Sequence, residues 1–138
     1  MGWGPDVRTL EDADGNTSIA VDKTAVAYTK TISLKLGEYF SLSYKATSDG
    51  NVKLRIEIQQ SHSPMAAANE GTSTDTTYVE PESMSDIKSA LATETWHIKA
   101  LSPICMPYFR LKITGLGAPN ANDASTVIQF KLGTKEII

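Results

Sequence analysis

The chain has 138 residues and a mass of 14.9 kDa, enough for one domain that buries a single core without covalent staples. Its 41% hydrophobic and 21% charged residues are the proportions of a soluble globular protein, and no apolar run approaches the ~20 residues of a membrane-spanning helix. A net charge of −3 and a pI near 5.3 argue against a protein whose main task is coating nucleic acid, because that binding rests on neutralising phosphates with Lys and Arg.

The start, MGWGPDVRTLEDADG, lacks the basic head, apolar middle and small-residue cleavage site of a secretory signal. Residues 1–16 read as an N-terminal arm or first turn, ahead of a single domain over 17–138. Asp-Gly-Asn occurs at 14–16 and again at 49–51, and Asp-Gly supplies the positive φ of tight turns. SIAV (18–21) and AVAYT (25–29) suggest early strands. TISLKL (31–36), EYFSLSYKA (38–46) and VKLRIEIQQ (52–60) alternate apolar and polar residues, as half-buried strands do. The stretch 61–86 is rich in Ser, Thr, Ala, Pro and Glu and exceeds the ~12–15 residues usual for a structureless loop. It reads as a contact arm or as a surface loop with a short strand near Thr77–Val79. SDIKSALA (85–92) is the single helical candidate, with Ser85 as cap and Ile87, Ala90 and Leu91 on one face.

WHIKA (96–100), YFRLKIT (108–114) and VIQFKL (127–132) return to the period of two. Trp96, Ile98, Phe109, Leu111, Ile113, Ile128, Phe130 and Leu132 are the inward candidates. That phase turns His97, Lys99, Arg110 and Lys112 outward. A second polar loop covers 115–125. Seven or eight short strands with turn residues between them predict an all-β, antiparallel β-sandwich of jelly-roll or immunoglobulin-like layout, with at most one short helix.

The candidate chemistry is sparse. DADGN (12–16) matches the opening of a calcium loop, but Thr17 stands where that loop needs Gly and Lys23 where it needs a bidentate Glu, so a turn is expected. Gly115-Leu116-Gly117 follows a strand, yet Pro119 leaves no helix to receive a phosphate. No nucleophile elbow or zinc-protease motif occurs, and His62, His97 and Cys105 lack the local ligand pair that nucleates a zinc site. Cys105 is the only cysteine, so no disulfide forms within the chain, as suits folding in a reducing cytoplasm. No catalytic, metal or cofactor residue is assigned, and an enzyme is not expected.

Charge placement says more than the total. Over 31–36, 39–46, 52–60, 95–100, 108–114 and 127–132 the proposed strands carry Lys35, Lys45, Lys53, Arg55, Lys99, Arg110, Lys112 and Lys131, against one acid, Glu57. Basic sheet faces and acidic loops suit stacking of copies or docking on an acidic protein surface. They also keep sheet faces soluble and edges unpaired.

The order VKLRIEIQQSHS, a polar loop, ETWHIKALSP, MPYFRLKITG, NAND and VIQFKL resembles a layout found in small structural proteins of tailed bacteriophages and related viruses. The resemblance spans roughly residues 31–132. It implies a virion protein folded in the host cytoplasm: a head decoration, cement or minor capsid protein, or a tail-associated subunit. The implied partners are major capsid or tail subunits and sister copies, in a homo-oligomeric assembly without nucleic acid or membrane contact. Trp3, Met65 and Tyr78 are the candidate interface residues, since aromatic and Met side chains on arms and loops are favoured anchors. The alternative is a carbohydrate- or receptor-binding module, for which Trp3, Tyr28, Tyr78 and Tyr108 would have to form the platform if Trp96 points inward.

Overall fold

The computed structural model describes residues 3–22, 24–34, 39–48, 54–80, 87–89, 96–101, 106–117 and 126–137. Among them ten strands run in chain order: β1 (Trp3–Thr9), β2 (Ile19–Val21), β3 (Val26–Tyr28), β4 (Ile32–Ser33), β5 (Tyr39–Ser48), β6 (Leu54–Ser61), β7 (Ile87–Ser89), β8 (His97–Leu101), β9 (Tyr108–Gly115) and β10 (Thr126–Ile137). They form two five-stranded sheets whose pairings are all antiparallel. One is ordered β1-β10-β5-β8, with β2 also on β10; the other is β3-β9-β6-β7, with β4 also on β9.

β1 and β2 pair with successive stretches of β10, and β3 and β4 with successive stretches of β9, so each pair is one interrupted strand. Eight strand positions remain, and they nest as the rungs of one long hairpin: β6 with β7, β5 with β8, β3/β4 with β9, β1/β2 with β10. A hairpin rolled so that successive rungs alternate between two sheets is a jelly roll, and this is the double-sheet sandwich expected from the strand count.

The alternation of apolar residues explains the roll. Leu54, Ile56 and Ile58 of β6, Phe109, Leu111 and Ile113 of β9, and Ile128, Phe130 and Leu132 of β10 are all at most 1% exposed. Leu10, Ile19, Val21, Leu34, Phe40, Leu42 and Leu101 complete the core between the sheets. Each strand hides one face, and no sheet could be stable alone with such a face in water.

Three local expectations change. Ile87–Ser89, inside the helical candidate 85–92, is strand β7, with Ile87 opposite Ile56. A helix this short is marginal by itself, whereas the free edge of β6 offers hydrogen-bond partners. Residues 3–9, read as part of an arm, pair along β10 from Trp3 opposite Ile137 to Thr9 opposite Lys131. The chain then leaves the sheet for residues 10–18, where the Asp12 carboxylate accepts the backbone N–H groups of Asp14 and Asn16 at 3.0 and 2.8 Å. Gly15 in this turn has φ +86°, the conformation that Asp-Gly signalled.

Third, β8 is shifted by one residue in phase. Leu101 is buried opposite Phe40, and His97 is opposite the inward-leaning Tyr44. Trp96 and Ile98 are therefore outward, 39% and 74% exposed, and His97 is half-buried with its ring 5.2 Å from that of Tyr44. Register is set by the buried face of the partner strand, and β5 aligns Leu101 with its own core residue. An Ile98→Asp substitution is thus expected to change unfolding free energy by less than about 1 kcal/mol, whereas Leu111→Ala costs about 2–5 kcal/mol; urea denaturation compares the two.

Candidate functional site

The two outer faces of the sandwich differ. On the β3-β9-β6-β7 sheet, Arg110 points away from the core, as its phase in β9 predicts, yet it is only 1% exposed. The segment 61–80 folds back over it. The Arg110 Nε–H donates to Gln59 Oε1 at 2.8 Å, and Nη1 donates to the Thr72 carbonyl at 2.7 Å. The guanidinium carbon lies 4.1 Å from the Tyr28 ring centroid and 5.1 Å from that of Tyr78. Two rings and two acceptors thus take the place of water around a buried charge. Burial pulls the Arg110 pKa down, and Tyr28, Glu70, Tyr78 and Asp75 oppose the shift.

Further bonds fasten the segment at several points. The Tyr78 hydroxyl donates to the Ser63 carbonyl at 2.7 Å, and burial pushes its pKa up. Gln60 and Val79 exchange backbone hydrogen bonds at 2.8 and 3.1 Å, so the short strand expected near 77–79 is a bridge onto the edge of β6. The Glu70 carboxylate accepts the Thr31 N–H and hydroxyl, and Glu80 accepts the N–H of Ile58. Gly71, at φ +79°, passes so close to the 10–18 excursion that a Cβ there would sit 2.6 Å from that of Ala13. The described part of this long polar stretch is a fitted cover, neither a free arm nor a loose loop.

The outer face of the β1-β10-β5-β8 sheet carries no such cover among the described residues. Directly paired residues share a face, so Val7, Gly133 and Ser41 form one row across it and Lys131, Ser43 and Ile98 the next. Lys45 and Trp96 lie beyond. The small residues Gly133, Ser41 and Ser43 lie between Val7, 65% exposed, and Ile98. The Nζ atoms of Lys45 and Lys131 stand 4.9 and 5.2 Å from the Trp96 ring centroid. This face is apolar and cationic together, and none of its described strand positions holds a carboxylate.

The expected contact residues take different places. Trp3 is in β1 opposite Ile137, with its side chain outside the described residues. Met65 is half-buried and, with Ile32, Pro64, Glu70 and Tyr108, lines a cleft of about 190 Å³ beside the cover. Tyr78 is 3% exposed and packs within its own chain. Of the platform tyrosines, Tyr28 is also buried and Tyr108 half-buried. Cys105 falls outside the described residues. No group of three or more His, Cys, Asp or Glu among the described residues is arranged to hold a metal. Sequence reasoning missed Trp96 and Ile98 as surface residues; three apolar or aromatic residues at alternate positions on a lysine-bearing edge strand carry no mark of which face they take.

No protein-family model matches the chain, and no curated protein matches it either. The faces themselves therefore carry the functional argument.

Replacing Arg110 with Ala leaves Gln59 and the Thr72 carbonyl without their donor and is expected to cost about 2–4 kcal/mol in chemical denaturation, with faster proteolytic cleavage between residues 61 and 80. Arg110→Lys keeps the charge without the planar fork and falls between parent and Ala variant. A pH dependence follows from Asp75, whose carboxyl is held below its ordinary range by the Thr77 hydroxyl and then the Thr77 N–H. A depressed folded-state pKa stabilises fully above the unfolded value and loses that contribution as pH falls through the folded one. Asp75→Asn is therefore expected to be less stable than the parent at pH 7, and the difference to shrink as pH falls below the ordinary carboxylate range and through the depressed folded-state pKa.

Proposed function

We propose that this chain is a non-enzymatic structural protein of a virus particle, a capsid decoration, cement or minor capsid protein, that stabilises the particle through protein–protein contacts. The observation that carries this reading is the open sheet face, with Trp96 and Ile98 outward beside Lys45 and Lys131. A half-exposed Trp amid apolar and cationic groups has the composition of an interface hot spot. The rolled-hairpin order supports it by analogy, since jelly rolls recur in capsid and lectin domains. The partners in this reading are capsid subunits and sister copies, and the location is the virion, reached after folding in the host cytoplasm.

The exposure of Trp96 also favours a second reading, a carbohydrate- or receptor-binding module, including a tail- or fibre-associated one. Against a glycan, Ile98 is 74% exposed on the same face and offers nothing to sugar hydroxyls. Particle incorporation tests the choice. The parent chain is expected to co-purify with particles at a fixed ratio to a capsid or tail subunit, and Trp96→Ala to lower its occupancy by about tenfold. Absence of the chain from purified particles refutes the virion reading, and saturable glycan binding lost in Trp96→Ala favours the second.

A further inference from the structure

The outer face of the β1-β10-β5-β8 sheet has charge of one sign. Lys131 is exposed on its central strand, Lys45 lies one row further on β5, and both Nζ atoms stand within 5.2 Å of the Trp96 ring centroid. Two like charges share one indole, whose negative face eases their repulsion, and a carboxylate brought alongside would remove it. None of the described strand positions on this face holds one. Val7 and Ile98 flank the lysines as exposed apolar residues.

Gly133 is a second and independent mark. It pairs with Val7 on one side and Ser41 on the other, in the middle of a strand that glycine weakens. It serves no turn, since the positive φ angles of the described glycines are at Gly15, Gly71 and Gly117. A Cβ at 133 would project over the outer face and meet the Ser41 Oγ at 2.9 Å, an atom that a side-chain rotation moves aside. The fold therefore asks little for glycine here, whereas a backbone approaching from outside does need it.

We propose that this face binds an extended acidic segment of another protein, whose backbone crosses at Gly133, whose carboxylates meet Lys131 and Lys45, and whose apolar side chain rests on Trp96 and Ile98. The inference rests on the reading of this face as a contact surface, and it adds the charge and shape of the partner. β8 is two strands from β10, about 10 Å, and successive outward rows are about 7 Å apart, so about four extended residues reach from Gly133 to Ile98. A nucleic acid draws its affinity from many Lys and Arg contacts to phosphates, whereas few cations beside exposed Trp and Ile make the mixture of a protein interface. A second copy presenting the same basic face is repelled.

The test uses purified particles carrying the parent chain. A carbodiimide activates carboxylates, and a lysine amine touching an activated one displaces the urea and forms an amide, so lysines in direct contact are joined. Mass spectrometry after digestion is expected to show Lys131 or Lys45 linked to an Asp or Glu of a capsid or tail subunit. Raising salt from about 0.1 to about 1 M shortens the screening length from ~10 to ~3 Å and is expected to lower occupancy. Lys131→Glu is expected to lower it about tenfold and Lys131→Arg to retain it. Gly133→Thr suits a strand and fills the crossing point, so it is expected to unfold no earlier than the parent and to be about tenfold less abundant on particles.

Particle-bound parent chains whose Lys131 and Lys45 join no partner carboxylate overturn the inference while the contact-surface reading stands. Unchanged occupancy in Lys131→Glu or in a folded Gly133→Thr does the same; if Gly133→Thr misfolds, the cross-links of the parent decide. Absence of the parent chain from particles refutes that reading and this inference with it.

Discussion

Arg110 is the constraint around which the two faces of this protein become different. A guanidinium in the middle of an outer sheet face is ordinarily a solvated group. Here it is buried, and the cost of removing a charge from water is offset only because Gln59, the Thr72 carbonyl and the rings of Tyr28 and Tyr78 surround it. Those partners come from β3, β6 and the segment 61–80. Ordering a polar stretch of that length against a sheet is entropically expensive, and a buried cation with fixed acceptors supplies a reason for it to stay in one place.

The consequence is an asymmetric sandwich. One sheet has its outer face covered by its own chain, with Glu70 and Glu80 of the cover turned in to accept backbone N–H groups. The other has no such cover among the described residues and holds Trp96 and Ile98 outward among lysines and small residues. Both faces are built on strands whose opposite sides form a single hydrophobic core. A module of this kind has a direction, which suits the contact role proposed above.

Much of the fold was legible in the alternation of residues. β5, β6, β9 and β10 lie where the period of two placed them, and Phe109, Leu111, Ile113, Ile128, Phe130 and Leu132 face inward as expected. β1 was not legible, because WGPDVRT has no clean alternation and is a strand through pairing with β10. β7 was misread because three apolar residues over eight positions satisfy a helical spacing as well as a strand edge. In β8 the apolar set Trp96 and Ile98 suggested one phase, and burial of Leu101 imposed the other. An edge strand makes few core contacts of its own, so the neighbour decides.

The candidate site divides along the same line. Residue types alone determined that this is an all-β chain with no disulfide within it, with lysines on its strands and few carboxylates there, because strand period and composition are local properties. Only the tertiary structure decided that Arg110 is buried, that Tyr78 is turned inward and that Trp96 is left on a surface. Each of these depends on what lies across a sheet or above it, and those neighbours come from segments far apart in the chain: Gln59 and Thr72 for Arg110, Ser63 for Tyr78, Lys45 and Lys131 for Trp96. The order in which a rolled hairpin lays its rungs side by side is not written in any single strand.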